Sequence, residues 1–404
     1  DNKHMKLEKR STYKGYKSYS YLEDKDFKHF ELSPEVGRVE PYIVDLNQEQ
    51  EIRFEQIMGE GININLHEHP SVIPNDVTQL MAYEKVGREF TGFEGLAYSY
   101  WDAIFDNCMD GTCVMSSDAG WKWQDVVHDF CMRSADIAHQ DFLFKATTVE
   151  DIYKAKRENR IAWFLSMEGC APIENELDRI DILYGLGVRM MGITYSESNA
   201  LGSGIREPRD GGLTLFGHKA VERMNKLGVA IDLSHTGDLT AMDVIKCSKK
   251  PVFITHVGAR SLWDSKRLKP DDVLKACAEY GGVVGVEAAP HTTITAAHQR
   301  HNLDSVMEHF EYMANLCGID HVAFGPDTLY GDHVGLHDVF SSNMSTKTTN
   351  ANQYERVEYI QGVENPTEAS YNFVRWMIKH GYSNEDIIKA MGGNVIRVLK
   401  EIWC

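Results

Sequence analysis

Residues 212–256 read GLTLFGHKAVERMNKLGVAIDLSHTGDLTAMDVIKCSKKPVFITH. Apolar residues recur at helical spacing over Gly217–Leu227, a glycine follows at 228, and an unbroken apolar run then ends in Ser234-His235. The pattern repeats at once, with helical spacing over Thr240–Ser248 and a second apolar run closing on His256. A glycine directly after a helix suits a left-handed cap, and a short apolar run without polar alternation suits a strand buried on both faces. Two such units in tandem predict parallel strands joined by crossover helices.

The same kind of run recurs on either side: GININLH (61–67), GLAYSYW (95–101), IAWFLSMEG (161–169), VRMMGITY (188–195), VVGVEAA (283–289) and HVAFGPD (321–327). With VAIDLSH (229–235) and PVFITH (251–256) they make eight. Helical spacing also appears over Trp123–Gln140, Glu174–Leu186, Asp271–Glu279 and Leu303–Leu316. Eight buried strands alternating with helices predict a single α/β chain folded as a (β/α)8 TIM-type barrel. No G-x-G-x-x-G follows a strand, which argues against a dinucleotide-binding fold. Residues 1–40, rich in Lys, Tyr, Ser and Glu, read as an N-terminal arm whose first five residues resemble a tag remnant. Tyr42–Asp45 reads as a strand, and 41–404 as the barrel followed by C-terminal helices with a break at Gly392-Gly393. Three connections, Asp102–Glu158, Ser196–Thr214 and Leu329–Thr367, are longer than ordinary barrel loops and are expected to cover the active face.

The 404 residues are 43% hydrophobic and 25% charged, an ordinary globular composition that excludes fibrous and disordered classes. A formal charge of −18 argues against nucleic acid and anionic lipid as partners, and no apolar stretch approaches the roughly 20 residues of a membrane span. The eight cysteines form no CxxC and fit a reducing compartment, so a cytoplasmic protein is expected, with a removed export signal as the alternative. Cys108 and Cys113, flanking a DG turn, are the one pair close enough in sequence to suggest a disulfide. A chain of this size buries its core without a metal staple, so any metal is expected to be functional.

The chemistry lies where the apolar runs end. His67 and His69 end the first, Glu168 the third, Tyr195 the fourth, His235 the fifth, His256 the sixth and Asp327 the eighth. Each alone has a plain reading as a surface histidine, a salt-bridged carboxylate or a hydrogen-bonded core imidazole. On a barrel all these ends converge on one face, and their joint occurrence predicts a metal site without thiolate ligands. Four imidazoles, a carboxylate able to bridge and Asp327 suit one or two zinc ions, with Mn, Fe or Co compatible with the same donors. Asp327 is placed to act as a proton shuttle or as a ligand.

GLTLFGHKAVERMNKLGVAIDLSHTGD (212–238), PVFITHVGAR (251–260) and KRLKPDDVLKACAEYGGVV (266–284) together resemble the membrane (renal) dipeptidases of the amidohydrolase superfamily, from about Gly61 onward. The resemblance implies a metal-dependent hydrolase of an amide or peptide bond in a small carboxylate-bearing substrate. It implies that His67 and the residue at 69 hold one metal, that Glu168 bridges, and that His235 and His256 hold the second. It further implies that Arg267 binds a substrate carboxylate, that Asp327 orients and deprotonates the attacking water, and that a homodimer is an expected assembly. Three positions depart from the family pattern. His67-Glu68-His69 stands where the family has His-x-Asp, Tyr195 stands where it has an oxyanion-supporting histidine, and Cys170 replaces a glycine after Glu168. A tyrosine hydroxyl can donate the same hydrogen bond. These departures leave open a single-metal site, a non-hydrolytic reaction such as decarboxylation, and a binding protein that has lost catalysis.

Overall fold

Buried runs of three to seven residues become eight parallel strands around one axis. The structure is a computed structural model that describes residues 5–108, 121–340 and 354–403. The strands are β1 (Ile64–Glu68), β2 (Ala103–Asn107), β3 (Ile161–Met167), β4 (Val188–Gly192), β5 (Ala230–Asp232), β6 (Phe253–Val257), β7 (Val283–Val286) and β8 (Val322–Phe324). Each pairs in parallel with the next, and β8 returns to β1, where the Asp327 N–H donates to the His67 carbonyl at 3.1 Å. This nearly closed barrel is the predicted (β/α)8 fold.

Alternation divides the strand residues into two layers. Ile64, Leu66, Ala103, Phe105, Ala162, Phe164, Met190, Ala230, Phe253, Val283 and Ala323 gather in one buried cluster with Val395, Val398, Leu399 and Ile402 of the last helix. Small and large residues interleave there, as a tapering barrel interior requires. Their neighbours Ile104, Trp163, Leu165, Met191, Ile231, Ile254 and Val284 belong instead to the larger cluster shared with the surrounding helices. The last helix (Asn394–Ile402) follows a π-turn at Lys389–Gly393. A Cβ on Gly392 would lie 2.0 Å from the Ile62 carbonyl oxygen, so glycine lets the turn close against the barrel floor.

The expected strand at GLAYSYW (95–101) is not one. Phe93–Ala97 is a helical turn, and the second barrel strand is AIFDN, residues 103–107, inside what reads as a long connection. Only three apolar residues precede its polar end, too short a run to announce a strand. No strand forms at Tyr42–Asp45; side chains of the helix Pro366–Lys379 hold that segment, with Asn372 Oδ1 accepting from the Val44 N–H and Arg375 Nε donating to its carbonyl. The helix read over Glu174–Leu186 begins at Arg179, because a 3-10 turn at Ala171–Ile173 and a left-handed Glu174 precede it. The helix read over Trp123–Gln140 ends at Ile137. Arg10 ties the described part of the arm to this chain's own barrel through the Ser99, Trp101 and Arg160 carbonyls. The suggested partner of Cys108, Cys113, and parts of the first and third long connections lie outside the described residues.

β2 also anchors the barrel wall. Asp106 Oδ2 accepts from Arg133 Nη1 at 2.8 Å and from Trp163 Nε1 at 2.7 Å, all three residues being buried. Asp106→Ala strips a carboxylate from a buried guanidinium that keeps Glu89 as a second anion. The expected loss is about 3 kcal/mol, at the low end for breaking a buried pair, read as a lower guanidinium-chloride midpoint at unchanged slope.

Candidate metal centre

Strict alternation from Ile64 and Leu66 would turn His67 away from the barrel axis. The β1–β2 register shifts between Asn65 and Glu68, and His67 joins the central cluster. Similar shifts fall at the end of β3, between Leu165 and Ser166, and where β6 meets β7, around His256. The irregularities thus lie where strands hand over to site residues. Glu68 points elsewhere: it accepts from Asn65 Nδ2 and from the Thr328 N–H and hydroxyl, tying β1 to the loop that carries Asp327.

Glu168 is the hub. Its Oε1 lies 2.9 Å from His235 Nε2, 3.1 Å from His256 Nε2 and 3.6 Å from His67 Nε2, while Asn107 Nδ2 donates to Oε2. Asp327 Oδ1 lies 2.8 Å from His69 Nε2 and 3.3 Å from His67 Nε2. The imidazoles crowd one another, with 3.3 Å between the Nε2 atoms of His67 and His69 and 3.1 Å between those of His235 and His256. Among the described residues, His67, His69 and Glu168 form one group whose donor atoms all lie within 4.8 Å, and Glu168, His235 and His256 form another. The two groups share Glu168.

The protonation states make this crowding informative. The Asn107 carbonyl, 3.0 Å from His69 Nδ1, can only accept, so Nδ1 donates to it and Nε2 is the nitrogen that faces Asp327. Burial, reinforced by Arg267, lowers His235 to about 4 against the pull of Glu168. Burial and His67 lower His256 to about 3. Both are therefore neutral near pH 7 and offer lone pairs. Burial alone would raise Glu168 and Asp327, but the imidazoles around them outweigh it and hold both carboxyls well below the usual range. Imidazole nitrogens and carboxylate oxygens converge to 2.8–3.6 Å of one another, a crowding that a shared cation would relieve. The residues thus fit a divalent metal with nitrogen and oxygen ligands.

Every metal-site residue expected from the sequence is brought together here, with Asp327 beside them. Tyr195 reaches the edge of the cluster, its ring 4.3 Å from that of His235 and 4.6 Å from that of Trp121. Arg267 lies behind the ends of β5 and β6, only 2% exposed, and donates to the Ser234 and His256 carbonyls. Sequence reasoning missed Asn107, because its strand was misplaced. It also missed Asp232, whose Oδ1 accepts from the Ser234 N–H and hydroxyl and from the Thr255 N–H, setting the ends of β5 and β6. Glu287, directly after β7 and 3.0 Å from Arg267, was missed too. An acidic residue inside or ending an apolar run, the signal that marked Glu168, was present for both.

The sequence model of the membrane dipeptidase family, peptidase family M19, matches residues 125–348. The dipeptidase aclJ of Aspergillus oryzae is 29% identical over 302 residues, covering 72% of this chain and 65% of the relative, so slightly less than two thirds of that protein is represented. Among solved structures, an amidohydrolase from Pseudomonas aeruginosa superposes with a TM-score of 0.69 at 25% identity, covering 87% of this chain and 99% of that one. A metallopeptidase from Rhodobacter sphaeroides shares the fold with a TM-score of 0.65 at 19% identity, over 85% of this chain and all of that one.

Proposed function

The chain belongs to the membrane dipeptidase family, peptidase family M19, and on that premise we propose that it is a metal-dependent hydrolase of amide or peptide bonds in small molecules, with dipeptides the leading class. The observation that carries this reading is the pair of buried donor groups sharing Glu168, with the ionised Asp327 alongside. His67, His69 and Glu168 would hold one ion, and Glu168, His235 and His256 a second. Zinc is the ion proposed, with Mn, Fe or Co suited to the same donors. Bound there, such an ion supplies an acidified water and polarises a carbonyl.

The chain's own residues do the rest. Asp327 is unprotonated, so Oδ1 can take a proton from the attacking water and return it to the departing amine. Glu68 holds the Asp327 loop on β1 through Thr328. The Tyr195 phenol, raised well above its ordinary value by burial and by the charge of Glu168, stays protonated and donates to the carbonyl oxygen as charge builds there. Tyr195→Phe is expected to lower kcat about a hundredfold, within the range for losing one oxyanion donor, at unchanged metal content. Among the described residues no helix is long and apolar enough to cross a membrane.

The test is a panel of dipeptides and N-acyl amino acids incubated with metal-replete protein and followed by amine release. Release from at least one class supports the reading. Intact substrates after long incubation with metal bound overturn it, and carbon dioxide released without amine points to the non-hydrolytic reaction.

A further inference from the structure

His235 stands beyond the end of its strand. β5 is in register with β6 at one residue pair, Asp232 with Phe253. The chain then turns over Leu233–Thr236, where the Thr236 N–H donates to the Leu233 carbonyl at 3.1 Å, and His235 lies inside that turn. A turn residue does not have the continuous ladder that fixes a strand residue, so the turn must be held by other means if His235 Nε2 is to stay 3.1 Å from His256 Nε2.

Lys269 supplies such a hold. Its side chain is 0% exposed, and Nζ donates to the Thr236 carbonyl at 2.6 Å and to the Ser234 carbonyl at 3.3 Å, one on each side of His235. Its backbone is joined to the segment that follows His256: the Lys269 N–H donates to the Gly258 carbonyl at 3.1 Å, and the Lys269 carbonyl accepts from the Arg260 N–H at 3.0 Å. One residue therefore ties the turn of His235 to the chain leaving His256. The carboxylates whose charge reaches Nζ are taken up elsewhere, Asp238 by Arg260 and Asp232 by Ser234 and Thr255. An ammonium buried on carbonyls is costly, and an apolar side chain of the same length would fill this space at less cost. Resting on the proposed metal-dependent hydrolysis, we propose that Lys269 is a positioning residue of the metal centre: by clamping the Ser234 and Thr236 carbonyls it aims His235 at the ion that His235 would share with Glu168 and His256.

Two measurements test this. The first is calorimetric zinc binding to chelator-stripped wild type, His235→Ala and Lys269→Met. His235→Ala marks the binding step that belongs to its donor group. Lys269→Met is expected to weaken that step by about ten- to a hundredfold, the range for residues that orient a ligand without touching the metal, and to leave unchanged any step that His235→Ala spares. Lys269→Gln keeps an N–H donor on a shorter side chain, so it is expected to fall between the two and stands in if Lys269→Met does not fold. An unchanged marked step, or equal weakening of a step that His235→Ala spares, overturns the proposal. The second measurement uses wild type alone. Lys269 is the one buried lysine among the described residues. NMR of metal-free protein carrying nitrogen-labelled lysine, at a pH below the value of about 7 to which burial lowers this amine, should show one slowly exchanging ammonium resonance that shifts as zinc binds. No such resonance, or one that bound zinc leaves unmoved, overturns the proposal. If wild type binds no zinc, the metal-dependent reading fails, and the metal-free resonance alone decides whether Lys269 clamps the turn.

Discussion

Asp327→Asn is expected to lower kcat about a thousandfold, mid-range for loss of a general acid-base group, with metal content and thermal midpoint unchanged. Two features of the site make the substitution clean. Asp327 sits at φ 56°, a left-handed conformation that asparagine tolerates at least as well as aspartate, so the loop after β8 keeps its shape. The amide matches the carboxylate in size but cannot accept a proton at the atom now 2.8 Å from His69 Nε2. Substrate binding should change little, so the loss falls on kcat rather than KM. Asp327→Ala is a poorer test, because it adds backbone strain at the same φ. A variant within about threefold of wild type would remove Asp327 from proton transfer, since that group supplies at least about a hundredfold in such reactions.

Glu168→Ala has a different signature, since it should remove the metal itself. Glu168 is the one anion common to both donor groups, and without it His67, His235 and His256 would face one another with no carboxylate at the hub. Metal content after dialysis should fall to background, and activity with it by about 10³- to 10⁵-fold, as several kcal/mol of transition-state stabilisation are lost. The two variants thus separate holding the metal from moving the proton. Loss of activity in Glu168→Ala at full metal occupancy would show that the cation is held elsewhere.

Much of this centre is legible before folding. HEH, SMEG, DLSH and ITH each set a residue able to ligate a metal at the end of an apolar run, and a parallel barrel sends every such end to one face. Chain order and strand period alone are enough for that reading. What it misses depends on distance. AIFDN has too few apolar residues to stand out, and Asn107, which orients Glu168, went with it. Glu68 reads as one more polar residue between two histidines, and only the fold shows it holding β1 to the Asp327 loop. Arg267 reads as half of an exposed Lys-Arg pair, or by resemblance as a carboxylate clamp. Its burial beside Glu287 could not be seen, because the two residues lie on successive barrel units and pair only across the strand ends.

A single titration weighs metal, site and reaction together. Chelator-stripped protein is titrated with zinc while bound metal and dipeptide cleavage are followed in the same samples. Hydrolysis should rise in step with occupancy and level off at about one to two equivalents, as expected for an ion or ion pair that activates water. Full occupancy without cleavage, or occupancy below about 0.2 equivalents at zinc concentrations where such donor sets saturate, would contradict a catalytic metal at these strand ends.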